Sequence, residues 1–344
     1  MLASTADPFT VLHLSDLHMT ADRRGRRRAA WIRRLAAEAP DLVVLTGDNL
    51  AHSSGLPVLL DALAPVLAGP GAFVFGSNDY VSAHWHNPAR YLTSRLAGRR
   101  EPETGQPLPE DQFDLPWAEL RAALVQSGWF DLNNARARTV IGGHDIRLVG
   151  LDDPHIARDA MPGPAGADVR TGLTTSDSPL ARSPKGSRDG DVSGGKEGTH
   201  HGHVAAKAAG SSNGDVSGGE DGGPTIVLGV VHAPYRHALR SLADDGAHLI
   251  LAGHTHGGQI ALPGHGALIA NCDVGTDRAR GLHGWPGPRP DEPGGENSVW
   301  LHISAGLGTS PYVPLRIAAR PEATLLTLTA SNTDRDRSSM LGGL

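Results

Sequence analysis

Apolar runs in this chain repeatedly stop at Asp, Asn or His, and that recurrence constrains the fold more than any other feature. "FTVLHL" (Phe9 to Leu14) runs into "SDLH", "DLVVL" into "TGDN", "GAFVF" into "GSND", "TIVLGVV" into "HAP", and "AHLILA" into "GHTH". A strand that is apolar at every position, and not only at alternate ones, is covered on both faces. Helical spacing separates the first three runs: Arg26 to Ala39, with Trp31, Ile32 and Leu35 on one face, and then Leu56 to Leu67. Strands alternating with helices predict a mostly parallel sheet with helices on its faces.

The second half changes rhythm. Arg138 to Asp153 reads as a hairpin around Gly142 and Gly143, and "GALIA", "VWLHIS" and "ATLLTLT" supply further strands. Two sheets packed face to face, with helices outside, use all of them. One domain over residues 1–344 is expected, with its core at about 9–156 and 225–330. Between Ala157 and Pro224 there is no Phe, Trp or Tyr. Such a segment cannot offset chain entropy of roughly 1–2 kcal/mol per residue, so 157–224 is expected to be a disordered low-complexity insertion. It contains a near repeat, "GDVSGGKEG" and "GDVSGGEDG", too polar to stack as a solenoid. Residues 331–344 are expected to form a flexible tail, and the Pro-rich stretches Gly98 to Pro116 and Gly284 to Gly295 to be surface loops.

Bulk chemistry narrows the function. The formal charge of -6 lacks the basic excess of a nucleic-acid binder, so no nucleic-acid partner is expected. A single cysteine, Cys272, excludes an intrachain disulfide and a thiolate zinc site. The first residues have no basic leader and no run of 18 apolar residues occurs, which favours a soluble, cytoplasmic chain. "RRGRRR" at Arg23 to Arg28, continued by Arg33 and Arg34, reads as a solvated helix face, with phosphate attraction or peripheral contact with an anionic membrane as its functional alternative. "HHGH" at His200 to His203 reads as incidental composition. No obligate protein partner is evident.

The residues that close the apolar runs are Asp16, His18, Asp48, Asn78, Asp79, His232, His254 and His256. They sit beyond the carboxyl ends of strands, where open α/β sheets bind ligands. Each has an ordinary reading alone, an Asp as a cap or turn residue and His232 as a satisfied buried ring. Jointly those readings fail. Hard carboxylate and amide oxygens mixed with imidazole suit a pair of divalent metal ions, Mn, Fe or Zn.

In this order, "DLH", "GD", "GSND", "H" and "GHTH" resemble the calcineurin-like metallophosphoesterase superfamily, and "GHTHGGQ" resembles its YkuE-type branch. The resemblance covers about Phe9 to Ala157 and Thr225 to Thr329. It implies a four-layer α/β/β/α sandwich of two mixed β-sheets flanked by helices. It implies two metals, one held by Asp16, His18 and His256, the other by Asn78, His232 and His254, with Asp48 bridging. The activity implied is hydrolysis of a phosphomonoester, phosphodiester or pyrophosphate bond by a hydroxide shared between the metals, with Asp48, Asn78 and Asp79 as catalytic residues. A phosphate-containing small molecule or lipid-like compound is the substrate expected.

One block departs from the family. Where the pattern has G-N-H-D, this chain has Gly76-Ser77-Asn78-Asp79, so an ungapped alignment sets Ser77 against the metal-binding Asn. A serine hydroxyl is a poorer ligand than an amide carbonyl, and Asn78 is expected to supply the oxygen. The usual histidine is then missing, and Asp79, His84 and His86 are its candidate replacements. Asn133, Asn134, Asp152, Asp153 and His155 are candidate pocket residues, with ordinary turns as the alternative. Two rival functions stand beside the hydrolase: a non-catalytic binding module on the same fold, and a mononuclear zinc amidohydrolase.

Overall fold

The computed structural model describes residues 7–82, 105–163, 170–171, 198–206, 225–258, 261–262, 266–267, 270–311 and 316–330. The first half alternates as expected: β1 (Phe9–Leu14), α1 (Arg23–Leu35), β2 (Leu42–Thr46), α2 (Gly55–Leu67), β3 (Gly71–Val74), the single turn α3 (Ser77–Tyr80), α4 (Trp117–Gln126) and β4 (Phe130–Asp131). α1 starts three residues earlier than its apolar spacing indicates, because Asp22 caps it, accepting from Gly25 N at 2.9 Å. A hairpin follows, β5 (Ala135–Ile141) and β6 (His144–Gly150), turning at Gly142 and Gly143, both at positive φ (58° and 83°). Paired left-handed residues match the twist of a two-residue turn.

Then come β7 (Arg170–Thr171), β8 (Gly198–Ala206), β9 (Thr225–Val230), α5 (Arg236–Asp244), β10 (Leu249–Ala252), β11 (Ala261–Leu262), β12 (Gly266–Ala267), β13 (Gly281–Trp285), β14 (Val299–Ile303) and β15 (Glu322–Ala330). One sheet has the order β4-β3-β2-β1-β15-β8, the other β13-β14-β10-β9-β6-β5-β7, and β11 pairs with β12 alone. Both large sheets are mixed. In the first, β1 runs antiparallel to β15 and parallel to β2; in the second, β10 lies parallel to both β9 and β14.

Three apolar interfaces separate four layers. Leu12, Leu14, Val43 and Leu45 face α1 and α2 through Ala29, Ile32, Leu59 and Leu63. Val11, Leu42 and Val44, on the opposite face of the same strands, meet Ile146, Leu228, Leu249 and Leu251 of the second sheet. Ile250, Ala252, Leu301 and Ile303 pack on Leu239 and Leu242 of α5. The α/β/β/α sandwich and the unbroken apolar runs therefore share one cause, burial of each strand on both faces.

The sequence reading needs two changes here. Part of the segment expected to be a disordered insertion is strand: β8 pairs in parallel with β15 from Gly198–Glu322 to Ala206–Ala330, and β7 pairs with β5. Backbone pairing needs no apolar side chains, which is why composition missed it. Most of 164–224, and the 331–344 tail, lie outside the described residues. Gly284 and Trp285, read as the start of a loop, end strand β13. Among the described residues, no helix is long and apolar enough to cross a membrane.

Leu45 has no exposed surface and sits between the first sheet and its helices. Leu45→Ala is expected to lower the unfolding free energy by about 2–5 kcal/mol in urea titration followed by circular dichroism.

Candidate metal centre

Asp16 and His18 leave the end of β1, and Asp48 leaves the end of β2. Backbone hydrogen bonds zip these two loops together: Asp16 N to Gly47 O and His18 N to Asp48 O, both 2.9 Å, and Met19 N to Asn49 O, 2.8 Å. Past β3, α3 delivers Asn78, whose backbone and side-chain N–H groups donate to the two oxygens of Asp48 at 2.8 and 2.7 Å. The second sheet contributes His232 after β9 and His254 and His256 after β10. Close approach depends on glycine at two of these turns. A Cβ on Gly76 would overlap Asp48 Oδ1 and the His232 ring, and one on Gly253 would overlap Ser15 Oγ and Asp16 Oδ2.

Two triads of ligand atoms result, Asp16 with His18 and His256, and Asp16 with Asp48 and His232. Within each, all atoms lie within 4.8 Å of one another. Asp48 reaches toward both, with Oδ2 3.6 Å from His18 Nε2 and Oδ1 3.3 Å from His232 Nε2. The resemblance gave the bridging position to Asp48 alone, whereas here Asp16 belongs to both triads. His254 belongs to neither; its ring stands edge-on to that of His232, 5.2 Å between centroids, and its Nε2–H donates to Asn271 O at 3.1 Å, leaving Nδ1 as the lone pair.

The charge state suits cations. Burial lowers the pKa of His18 to about 4 and those of His254 and His256 well below the usual imidazole value, keeping these rings neutral, the form that ligates metal. Burial raises Asp16 to about 6. For His232, burial disfavours charge, but Asp48, Asp153 and Asp16 outweigh it and pull the pKa up. Asp48 moves the other way, since His232, His18 and the Asn78 amide overcome the cost of burial. The carboxylates around His232 thus draw positive charge into this space. Asp16 Oδ1, Asn78 Oδ1 and His232 Nε2 are buried with no hydrogen-bond partner. Orphaned polar atoms of this kind are costly in a packed interior, and a divalent cation that displaced the His232 proton would take all three, a donor set that fits hard or borderline ions.

Outer contacts fix the ligands. Thr46 O accepts from His232 Nδ1 at 2.6 Å, which turns Nε2 toward Asp48. Ser15 Oγ and His254 N both donate to Asp16 Oδ2, at 2.5 and 3.0 Å. Arg316 stands 3.0 Å from His256 Nδ1 and donates to the carbonyls of Ala305, Gly306 and Gly308. No motif marks Arg316 in the sequence; a lone arginine between apolar residues carries no signal. The same is true of Asn271, which acts through its carbonyl.

The altered block resolves locally. Asn78 is buried on Asp48, while Ser77 starts the helical turn. Asp79 spends both oxygens on Asn49 N (2.9 Å), Asn49 Nδ2 (3.3 Å) and Gly76 N (3.0 Å), so it braces the turn that presents Asn78. His84 and His86 lie outside the described residues. Of the other pocket candidates, Asn133 and Asn134 secure loops, accepting from Phe75 N and Asp152 N, and Asp152 binds Tyr80 Oη and Arg158. Asp153 and His155 come closer to the centre. Asp153 is fully buried and its charge helps raise the pKa of His232, and the His155 ring lies 4.5 Å from that of His254.

Adding Mn2+ or Zn2+ at about 100 times its dissociation constant should stabilise the chain by about 2.7 kcal/mol, read as a rise in thermal midpoint. Asp16→Asn, which removes a charge from both triads, should abolish most of that rise. His256→Ala, which touches one triad, should remove one metal equivalent by elemental analysis.

Residues 9–154 match the family model described as calcineurin-like phosphoesterase. Two Bacillus subtilis (strain 168) proteins are similar to this chain. The uncharacterized metallophosphoesterase YkuE is 34% identical over 103 residues, 30% of this chain and 31% of that protein. The uncharacterized metallophosphoesterase YkoQ is 23% identical over 320 residues, 91% of this chain and 81% of that protein.

Proposed function

We propose that this chain, whose residues 9–154 match the family model described as calcineurin-like phosphoesterase, is a dinuclear metal-dependent hydrolase of a phosphomonoester, phosphodiester or pyrophosphate bond. One observation carries the reading: carboxylate and imidazole atoms from the ends of strands in both sheets gather into two triads that share Asp16, the atoms of each within 4.8 Å of one another. Two of them, His232 and His256, come from beyond the matched segment, so the second half completes what the first half begins.

Asp16, His18, Asp48 and His256 would hold one divalent ion, and Asp48, Asn78, His232 and His254 the other, with Asp16 at hand to both. When bound, such a pair supplies Lewis acidity, lowering the pKa of water and neutralising charge on phosphoryl oxygens. The chain's own part is positioning. Thr46 O keeps the His232 proton on Nδ1, Asn271 O does the same for His254 at Nε2, and Ser15 holds the Asp16 carboxylate. Burial of all these groups lowers the local dielectric, which strengthens each electrostatic contact with a phosphate.

No protein nucleophile is needed. Ser15 is committed to Asp16, and Cys272 is buried with its thiol on Ala270 O. Water is therefore the group that attacks phosphorus in this reading. Phosphate-bearing small molecules and lipid-like compounds remain its substrate class, and a cytoplasmic location with peripheral membrane contact belongs to the same proposal. A weakly active binding module on this fold is the second reading, favoured by the altered Ser77–Asn78 block.

Purified chain supplied with Mn2+ is expected to release p-nitrophenol from mono- or bis-p-nitrophenyl phosphate, and Asp48→Asn should lower kcat/KM by more than about 100-fold. Absence of turnover with Mn, Fe and Zn alike would leave the binding module as the better account. One metal per chain without phosphatase activity would instead point to a mononuclear amidohydrolase.

A further inference from the structure

Beside the metal centre the described residues form a second charged concavity. Arg24, Arg27, Arg28 and Trp31 recur every three or four residues along α1 and so share one stripe, next to the buried stripe of Gly25, Ala29 and Ile32. With Leu307, Thr309 and Pro321 they line a cavity of about 180 Å³. None of the ion pairs among the described residues involves Arg24, Arg27 or Arg28. The nearby carboxylate of Asp22 already accepts from Thr20 Oγ1 at 2.6 Å and Gly25 N at 2.9 Å.

The walls of this cavity are tied to the ligand loop. Arg28 Nη2 donates to His18 O at 2.6 Å. Across the cavity, Leu307 N donates to Ser15 O at 3.1 Å and Gly308 N to Asp16 O at 2.6 Å. Helix α1 begins a few residues after His18, so its first turns lie at the end of the sheet where the metal ligands gather.

Arg24 and Arg28 repel one another, Asp22 offsets only part of the charge of the three arginines that line the cavity, and an anion relieves what remains. Their planar donor forks match phosphoryl oxygens, while Trp31, Leu307 and Pro321 give the cavity an apolar side. A concave site of this size suits a discrete phosphoryl group better than the flat face of a bilayer.

We propose that Arg24, Arg27, Arg28 and Trp31 form a phosphoryl-binding subsite that takes a second phosphate group, carried by a soluble molecule or by a lipid headgroup. Its place beside His18 assigns the substrate more than one anionic group. That assignment rests on the phosphoesterase reading, whereas the binding itself does not.

The test counts phosphate equivalents on the full-length, Mn-loaded chain by isothermal titration with inorganic phosphate. In parallel it measures co-sedimentation with phosphatidylcholine vesicles containing phosphatidic acid. The R24Q/R27Q variant changes two exposed side chains and should lose one phosphate equivalent relative to wild type, while R33Q/R34Q should match wild type. Loss seen with vesicles but not with free phosphate supports the subsite with a lipid as the source. Equal binding of both probes by wild type and R24Q/R27Q overturns it, as does an equal loss in R33Q/R34Q, which would mark a bulk-charge effect. Binding lost in R24Q/R27Q by a chain inactive on both mono- and bis-p-nitrophenyl phosphate with Mn, Fe and Zn would retain the subsite and end the phosphoesterase reading.

Discussion

Asp48 is 3% exposed, and a carboxylate so far from water must find positive charge or strong hydrogen bonds. It finds both, from two N–H donors of Asn78 and from the imidazole of His232. Much of the local architecture follows from that requirement. α3 must start directly after β3 to aim Asn78, and Gly76 must lack a side chain to let His232 pass. β9 must then end where the His232 ring meets Thr46 O, so the register between the two sheets is bound to the chemistry of one carboxylate.

The interior changes character toward this end of the sandwich. Val11 and Val44 fill the space between sheets, yet the next residues on the same faces are His13 and Thr46. His13 bonds His302 Nδ1 at 2.8 Å and Thr46 Oγ1 at 2.9 Å, both buried. Burial, with His302 beside it, lowers the pKa of His13 well below the ordinary value, so His13 joins the sheets as a neutral ring. Fully satisfied buried networks of this kind favour one packing over its alternatives.

The strands were legible because both faces of each are covered, which writes continuous apolar runs such as Leu42–Leu45 and Leu249–Ala252 into the sequence. The ligands were legible because each closes one of those runs. What stayed hidden acts through geometry and not through composition. Arg316 and Asn271 reach the centre from segments with no periodic signal. β8 is held by backbone pairing that a Gly- and His-rich segment does not announce. Asp79 carries a motif position but braces a turn, a distinction that only its contacts with Asn49 and Gly76 reveal.

Asp16, His18, Asp48, His254 and His256 all have positive φ, between 42° and 71°. Left-handed backbone at residues with side chains costs on the order of 1 kcal/mol or more each, and it persists only where surrounding contacts over-determine it. Here those contacts include the zipped loops after β1 and β2 and the Asn271 and Thr46 carbonyls, none of which relieves the orphaned Asp16 Oδ1, Asn78 Oδ1 or His232 Nε2. Packing of the three apolar interfaces sustains the strained turns, and coordination at those lone pairs would return part of the cost. Folding and metal affinity in this chain are therefore expected to be one linked equilibrium, since strain held by the sandwich in the free protein is the preorganisation that a bound cation exploits.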